Sequence, residues 1–343
     1  LPYAQEHLAH GGRGEEIARV VTAKGNEKGC HGGPLYFRLL ILLMGALALA
    51  AFAPVAPLLA AERLAMVTTT TDLKSLAEAV GGEHVVVDSI VPAGGQAEDY
   101  QPKPQDVSRL KTARLLVRVG LDFDLWLDKL VGRSGRADLG RGQPFHVDAS
   151  LAITLLDVHA HGVGPGDGHA HGSGNPHYWL DPRNAEIITG HILERLAELD
   201  PNHAKAYEAN RLRFLDRLDG KIKEWEEKLG SVKRLPVVAY HNTWAYLARR
   251  FRLSIVATIE QKPGVPPSPA HLNRLIHLMQ QKGVRIIIRE PREPEQSVAF
   301  LAAKTNGQVV VLAGSVGAIP QASDYLALFD WNVAALATAF GKR

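Results

Sequence analysis

Beyond residue 61 the chain contains no cysteine; the single one, Cys30, lies ahead of a long apolar run. The portion after that run forms no intramolecular disulfide, and any metal site in it is built from imidazole and carboxylate rather than thiolate. Blocks of like charge are also missing. The 39 Lys and Arg nearly balance 36 Asp and Glu, a formal charge of +3, with no basic run interleaved with aromatics. That balance favours neither nucleic acid nor a membrane surface as a partner. Absent too are an HExxH stretch, a nucleophile elbow and an obvious spare general base, which leaves little to support hydrolytic chemistry.

What is present begins with size. A chain of 343 residues that is 46% apolar buries a real core, and its length leans toward two domains. Residues 1–61 stand apart. Arg38 precedes LLILLMGALALAAFAPVAPLLAA, in which an apolar segment over 39–53 is followed by Pro54, Pro57 and the small pair Ala60 and Ala61. A charged flank, an apolar stretch and a small-residue exit make a secretory signal peptide, so residues 1–61 are read as a presequence and the remainder as periplasmic. The prolines argue against a permanent membrane span.

The densest chemical signal lies at 157–182, DVHAHGVGPGDGHAHGSGNPHYWLDP. Five histidines, His159, His161, His169, His171 and His177, fall within nineteen residues, where the chain average predicts about one. Gly, Pro and Asp between them form no packed core, so this is a loop with the composition of a metal-binding tract. His177 differs from the other four. It runs directly into YWLDP and a helical pattern, and so belongs to the fold, whereas the upstream four belong to the loop.

Around this loop, short β-branched runs alternate with amphipathic ones. LAMVTTT, HVVVDSIV, RLLVRVG and FHVDA read as strands, separated by helices over 72–80, 105–111 and 125–131. Continuous apolar runs of this kind suggest parallel strands covered on both faces. After a helix ending near Leu199, Pro201 opens a segment to about Leu229. Tyr207, Phe214, Leu218, Ile222, Trp225 and Leu229 recur there at helical spacing, predicting one helix of roughly 40 Å. Strand and helix then alternate again through PVVAY, LSIVATI, RIIIRE and QVVVLA, with a last helix over 324–340.

The expected fold is therefore α/β: two Rossmann-like lobes with parallel sheets, joined by one long rigid helix, with a cleft between them. The expected boundaries are 62–200 for the first lobe, with the histidine loop at 157–177, then 201–230 for the linking helix and 231–343 for the second lobe. Ligands of open α/β sheets bind beyond the carboxyl ends of the strands, which makes position after a strand a filter for site residues. Glu98, His177, His241 and Asp324 pass it, two from each half. Ordinary alternatives stand beside them: His241 could cap a helix or satisfy a buried backbone group, Asp324 reads as a helix N-cap, Glu98 beside Asp99 as a solvated loop carboxylate, and Glu290 is a competing acid at a strand end. Two imidazoles and two carboxylates suit zinc, manganese or iron better than magnesium or calcium.

Five stretches carry a resemblance over nearly the whole exported chain. They are TTTTDLKSLAEAVGG, the GG and EDYQPKPQDVSRL of 94–110, NPHYWLDPRNAEII, AYHNTWAYLARRFRL and SDYLALFDWNVAAL. Together they resemble the ZnuA-like and TroA-like group of periplasmic solute-binding proteins, the metal-binding components of bacterial ABC importers. The resemblance implies two α/β lobes around one rigid helix, His177, His241 and Asp324 as ligands, and a monomer that carries metal to a membrane permease rather than a catalyst. At the first ligand position, where the family usually has His, this chain has Glu98, so either Glu98 supplies a carboxylate oxygen in place of imidazole or three protein ligands are completed by water. Histidine rather than glutamate at the third ligand position, His241, together with the histidine-rich loop and its accessory His159, His161, His169 and His171, implies Zn2+ over Mn2+ or Fe2+. A zinc-dependent hydrolase is the alternative from another class.

Overall fold

The structure is a computed structural model and describes residues 63–158, 174–230, 235–262 and 264–341. The presequence expected at 1–61 lies outside the described residues. In the first lobe the β-branched runs form β1 (Leu64–Thr68), β2 (Val85–Ser89), β3 (Leu115–Arg118) and β4 (His146–Asp148). Helices α1 (Thr71–Gly81), α2 (Pro104–Thr112) and α3 (Trp126–Ser134) connect them. All pairings are parallel, in the order β2-β1-β3-β4, with Met66 level with both Val87 and Leu115. Covering helices bury β3 completely, as the apolar run predicts. The edge strand β2 differs from that expectation: its residues alternate buried and exposed, and Val86 is 45% exposed, because an edge strand packs on one face here.

Helix α4 (Asn184–Leu199) leads through a 3-10 turn at Pro201–His203 into α5 (Ala204–Lys228). At 25 residues α5 is about 37 Å long. Tyr207, Phe214, Leu218, Ile222 and Trp225 are its buried face, the stripe predicted from spacing. The indole of Trp225 donates to Asp330 Oδ1 at 2.8 Å and packs against Phe329, centroids 5.2 Å apart and rings tilted by 32°. Burying one such side chain contributes about 2–3 kcal/mol, so the stripe is a main source of the helix's stability rather than its modest intrinsic propensity.

The second lobe repeats the first. Strands β5 (Pro236–Ala239), β6 (Ser254–Thr258), β7 (Ile286–Arg289) and β8 (Gln308–Val311) alternate with α6 (Ala245–Phe251), α7 (Pro269–Lys282) and α8 (Glu295–Thr305), and α9 (Tyr325–Gly341) closes the chain. The sheet order is β6-β5-β7-β8, again parallel throughout. Ser268 caps α7 by accepting from His271 N at 3.2 Å, with Pro269 in the first turn where its missing N–H costs nothing.

The lobes share one apolar core that includes residues of both sheets and of α5. Helix α5 lies against α1 and α4 on one side and α9 on the other. Polar contacts reinforce the junction. Thr71 Oγ1 donates to Val316 O at 2.7 Å, Val316 N donates to Asp72 Oδ1 at 2.9 Å, and Trp179 Nε1 donates to Gly314 O at 3.0 Å. Buried Asp181 accepts from Arg250 Nε at 2.7 Å. These contacts hold the carboxyl ends of the two sheets face to face.

Candidate metal centre

Every strand of both sheets sends its following loop to one cleft. The residues lining it include Thr70 and Asp72 after β1, Glu98 after β2, Phe123 after β3 and His177 after β4. From the second lobe come His241 after β5, Glu260 after β6, Glu290 after β7 and Gly314 after β8. The cavity holds about 260 Å³. Of the four residues that passed the strand-end filter, Glu98, His177 and His241 line this cleft, because parallel sheets place their carboxyl ends on one edge; Asp324 does not.

Glu98, His177 and His241 meet in this cavity, with one ligand-capable atom of each within 4.8 Å of the others. His177 Nε2 lies 3.4 Å from Glu98 Oε1. A tetrahedral zinc with bonds near 2.0–2.1 Å sets its donors about 3.3 Å apart, so this edge of the triangle already has the spacing of a bound ion. The two imidazole rings face each other edge-on, centroids 5.7 Å apart at 72°. His177 is buried, its ring packed at 5.6 Å from Phe123 and 5.3 Å from Trp179. Apolar walls of that kind lower the local dielectric and strengthen attraction between the donors and a cation.

Each imidazole has its Nδ1 engaged, which leaves Nε2 as the nitrogen to offer a metal; that of His177 faces Glu98. His177 Nδ1 lies 3.0 Å from Asn175 Oδ1, and His241 Nδ1 lies 2.6 Å from Glu260 Oε2. An outer partner of this type fixes the ring and raises its basicity. Burial alone would depress His241, but the Glu260 hydrogen bond with the charges of Glu98, Glu260 and Glu293 outweighs it and holds the imidazole above its usual range.

More acid surrounds the triad than the sequence reading anticipated. Glu290, the competing acid, faces the cleft, accepting from Thr243 Oγ1 at 2.9 Å. Its carboxylate lies against Gly314, where an added Cβ would fall 2.5 Å from Glu290 Oε2, so glycine is what admits the glutamate to this position. Burial pushes Glu293 up to about 8, with Glu290's charge adding. Burial likewise drives Asp72 to about 7, against the Val316 hydrogen bond that lowers it and with Glu290 raising it further. Glu260, Glu293 and Asp72 were missed. Glu260 and Asp72 do stand a few residues past a strand end, a signal the filter could have used; Asn175 stands two residues before His177 and bonds it locally, but the amide's other partner, Asn242, is brought to it only by the fold.

Asp324 is the correction. It is exposed and caps α9, its Oδ1 accepting from Leu326 N at 2.9 Å and Ala327 N at 2.8 Å. It lines a separate groove with Lys221 and Asp330. The physical reason is path length: after β8 the chain reaches the cleft at Gly314 and Ser315, then leaves it well before residue 324. The N-cap alternative is the one realised. His159, His161, His169 and His171, the expected accessory site, lie outside the described residues.

Two α/β lobes whose strand ends converge on a triad of imidazole and carboxylate donors define a cleft-type binding protein with donors suited to a metal ion. The chain belongs to the ZnuA family, zinc-uptake complex component A, periplasmic, whose model matches residues 66–339. The iron-binding protein YfeA of Yersinia pestis is 26% identical over 295 residues, 82% of this chain and 88% of its own. The high-affinity zinc uptake system protein ZnuA of Brucella abortus is 26% identical over 286 residues, 74% of this chain and 84% of its own. A crystal structure of ZnuA superposes with a TM-score of 0.69 at 25% identity, covering 81% of this chain and 99% of that one. The resemblance and the two-lobed fold read from the sequence motifs both hold.

Proposed function

We propose that the chain captures a divalent transition-metal ion in the periplasm, zinc foremost, and delivers it to the permease of an ABC importer. The observation that carries this reading is the Glu98, His177 and His241 triad at the meeting of both sheets. These three are the ligands in this proposal, through the two Nε2 atoms and a Glu98 oxygen; the accessory loop remains a collecting site. Relatives named for zinc uptake and for iron binding agree with a divalent cargo. Two imidazole nitrogens favour zinc over harder ions. Glu98 in place of an imidazole, within a cleft that also holds Glu260, Glu290 and Glu293, is what favours manganese or iron as the second reading.

Side-by-side competition titration of Zn2+, Mn2+ and Fe2+ on the exported chain tests the proposal. Zinc binds tightest, one ion per chain at the cleft; displacement of zinc by equimolar manganese overturns the choice of metal, and no binding of any of the three overturns the carrier reading. The same titration run against pH has a definite sign. A ligand imidazole must be neutral, and His241 is held above the ordinary value of about 6.5. Affinity therefore begins to fall at a higher pH than an unperturbed histidine would dictate, and declines further as pH drops. An affinity flat from about pH 8 to pH 6 contradicts protonation of these ligands.

A further inference from the structure

Asn175 is a small polar residue, 6% exposed, two residues before His177, and every one of its hydrogen-bonding groups is engaged. Its main-chain N–H donates to Leu156 O at 2.8 Å, and its carbonyl accepts from Tyr246 Oη at 2.9 Å. The side-chain Oδ1 accepts from His177 N at 3.0 Å and faces His177 Nδ1 at 3.0 Å. The side-chain Nδ2 donates to Asn242 O at 2.9 Å and to Asp157 Oδ2 at 3.2 Å. Asp157 Oδ2 in turn accepts from Asn242 Nδ2 at 3.0 Å.

These partners dictate which way the amide points. His177 N only donates and Asn242 O only accepts, so exchanging the oxygen and nitrogen of Asn175 would set donor against donor and acceptor against acceptor. With Oδ1 placed, His177 Nδ1 must carry a proton, so the neutral ring that binds metal has its lone pair on Nε2, the atom 3.4 Å from Glu98. The other half of the amide grips the residue next to His241 in the second lobe. One planar group thus touches His177 directly and His241 through one peptide. Aspartate would keep the acceptor and lose both donors, and alanine would lose everything.

We propose that Asn175 is a positioning residue of the metal site: it sets the His177 tautomer and ties His177 to the His241 segment across the lobes before the metal arrives. The inference rests on the ligand assignment proposed above. A preorganised pair of imidazoles does not have to be ordered at the cost of binding energy, and removal of an outer partner of this kind weakens metal binding by roughly ten- to hundredfold.

The test combines two variants with a nitrogen-15 spectrum of the histidine rings in the metal-free chain, His177 being assigned by its loss in His177→Gln. In the parent, at a pH where the ring is neutral, His177 is protonated on Nδ1; a neutral ring with its proton on Nε2 overturns the proposal without any variant having to fold. Asn175→Ala weakens zinc binding by about ten- to hundredfold and lets the other tautomer appear. Asn175→Asp keeps the parent tautomer, since its oxygen still accepts from Nδ1–H, and binds zinc with intermediate affinity because the tie to Asn242 is gone. Unchanged affinity in Asn175→Ala, or a loss of thermal stability with both tautomer and affinity unchanged, leaves Asn175 merely structural and refutes its positioning role. Failure of the site itself looks different: His177→Gln would then bind zinc as tightly as the parent.

Discussion

Zinc binds the His177→Ala, His241→Ala double variant more than about a thousandfold more weakly than the parent chain, read by competition against a chromophoric chelator. Loss of one outer partner of a metal-bound histidine already costs roughly ten- to hundredfold, and here both nitrogen donors disappear together. A thousandfold corresponds to about 4 kcal/mol, modest beside the total affinity of zinc for a closed site of nitrogen and oxygen donors. Glu98 would remain as a single carboxylate in a cleft lined by other acids, enough to attract a hydrated cation weakly but not to strip its water. The metal-free variant is expected to unfold cooperatively as the parent does. The common core is built of apolar side chains from both sheets; His177 packs against its edge at Phe123 and Trp179, so the double variant loses some stability there without losing the core. An affinity within tenfold of the parent places the ion elsewhere.

The second large effect concerns selectivity. Glu98→His raises the preference for zinc over manganese by about tenfold or more, because a third imidazole replaces the one hard donor of the triad. Glu98→Gln, which keeps the shape and removes the charge, weakens both ions and manganese more than zinc. The geometry makes Glu98 the natural lever. Its oxygen stands 3.4 Å from His177 Nε2, so a change there alters a donor rather than the distant field. Paired titrations of the two ions on parent and variants read the ratio directly. A ratio that stays constant across all three proteins means that Glu98 contacts no metal.

The architecture was legible because its causes are local. Runs such as HVVVDSIV and RIIIRE are strands by composition, and the spacing of Tyr207, Phe214, Leu218, Ile222 and Trp225 announces a single buried helix face. Once the strands were placed, the strand-end rule carried Glu98, His177 and His241 to one cleft. Asp324 shows where that reasoning weakens. Its distance beyond β8 is long enough for the chain to enter the cleft and leave again, and its motif, an acid before a helical run, is the signature of an N-cap whatever the site nearby. Asn175 and Glu260 show a different limit. Glu260 meets His241 only in the fold, and Asn175, though two residues from His177, shows its role only through the orientation that Asn242 imposes on its amide. Gly314 is similar: its missing side chain matters because Glu290 approaches from another strand.

Diffraction at the zinc absorption edge from crystals of the zinc-loaded chain tests the placement of the ion most directly. One strong anomalous peak is expected in the interlobe cleft, at about 2.0–2.2 Å from His177 Nε2, His241 Nε2 and an oxygen of Glu98. A chain that holds one zinc tightly, yet shows its peak away from these three side chains, contradicts the assignment.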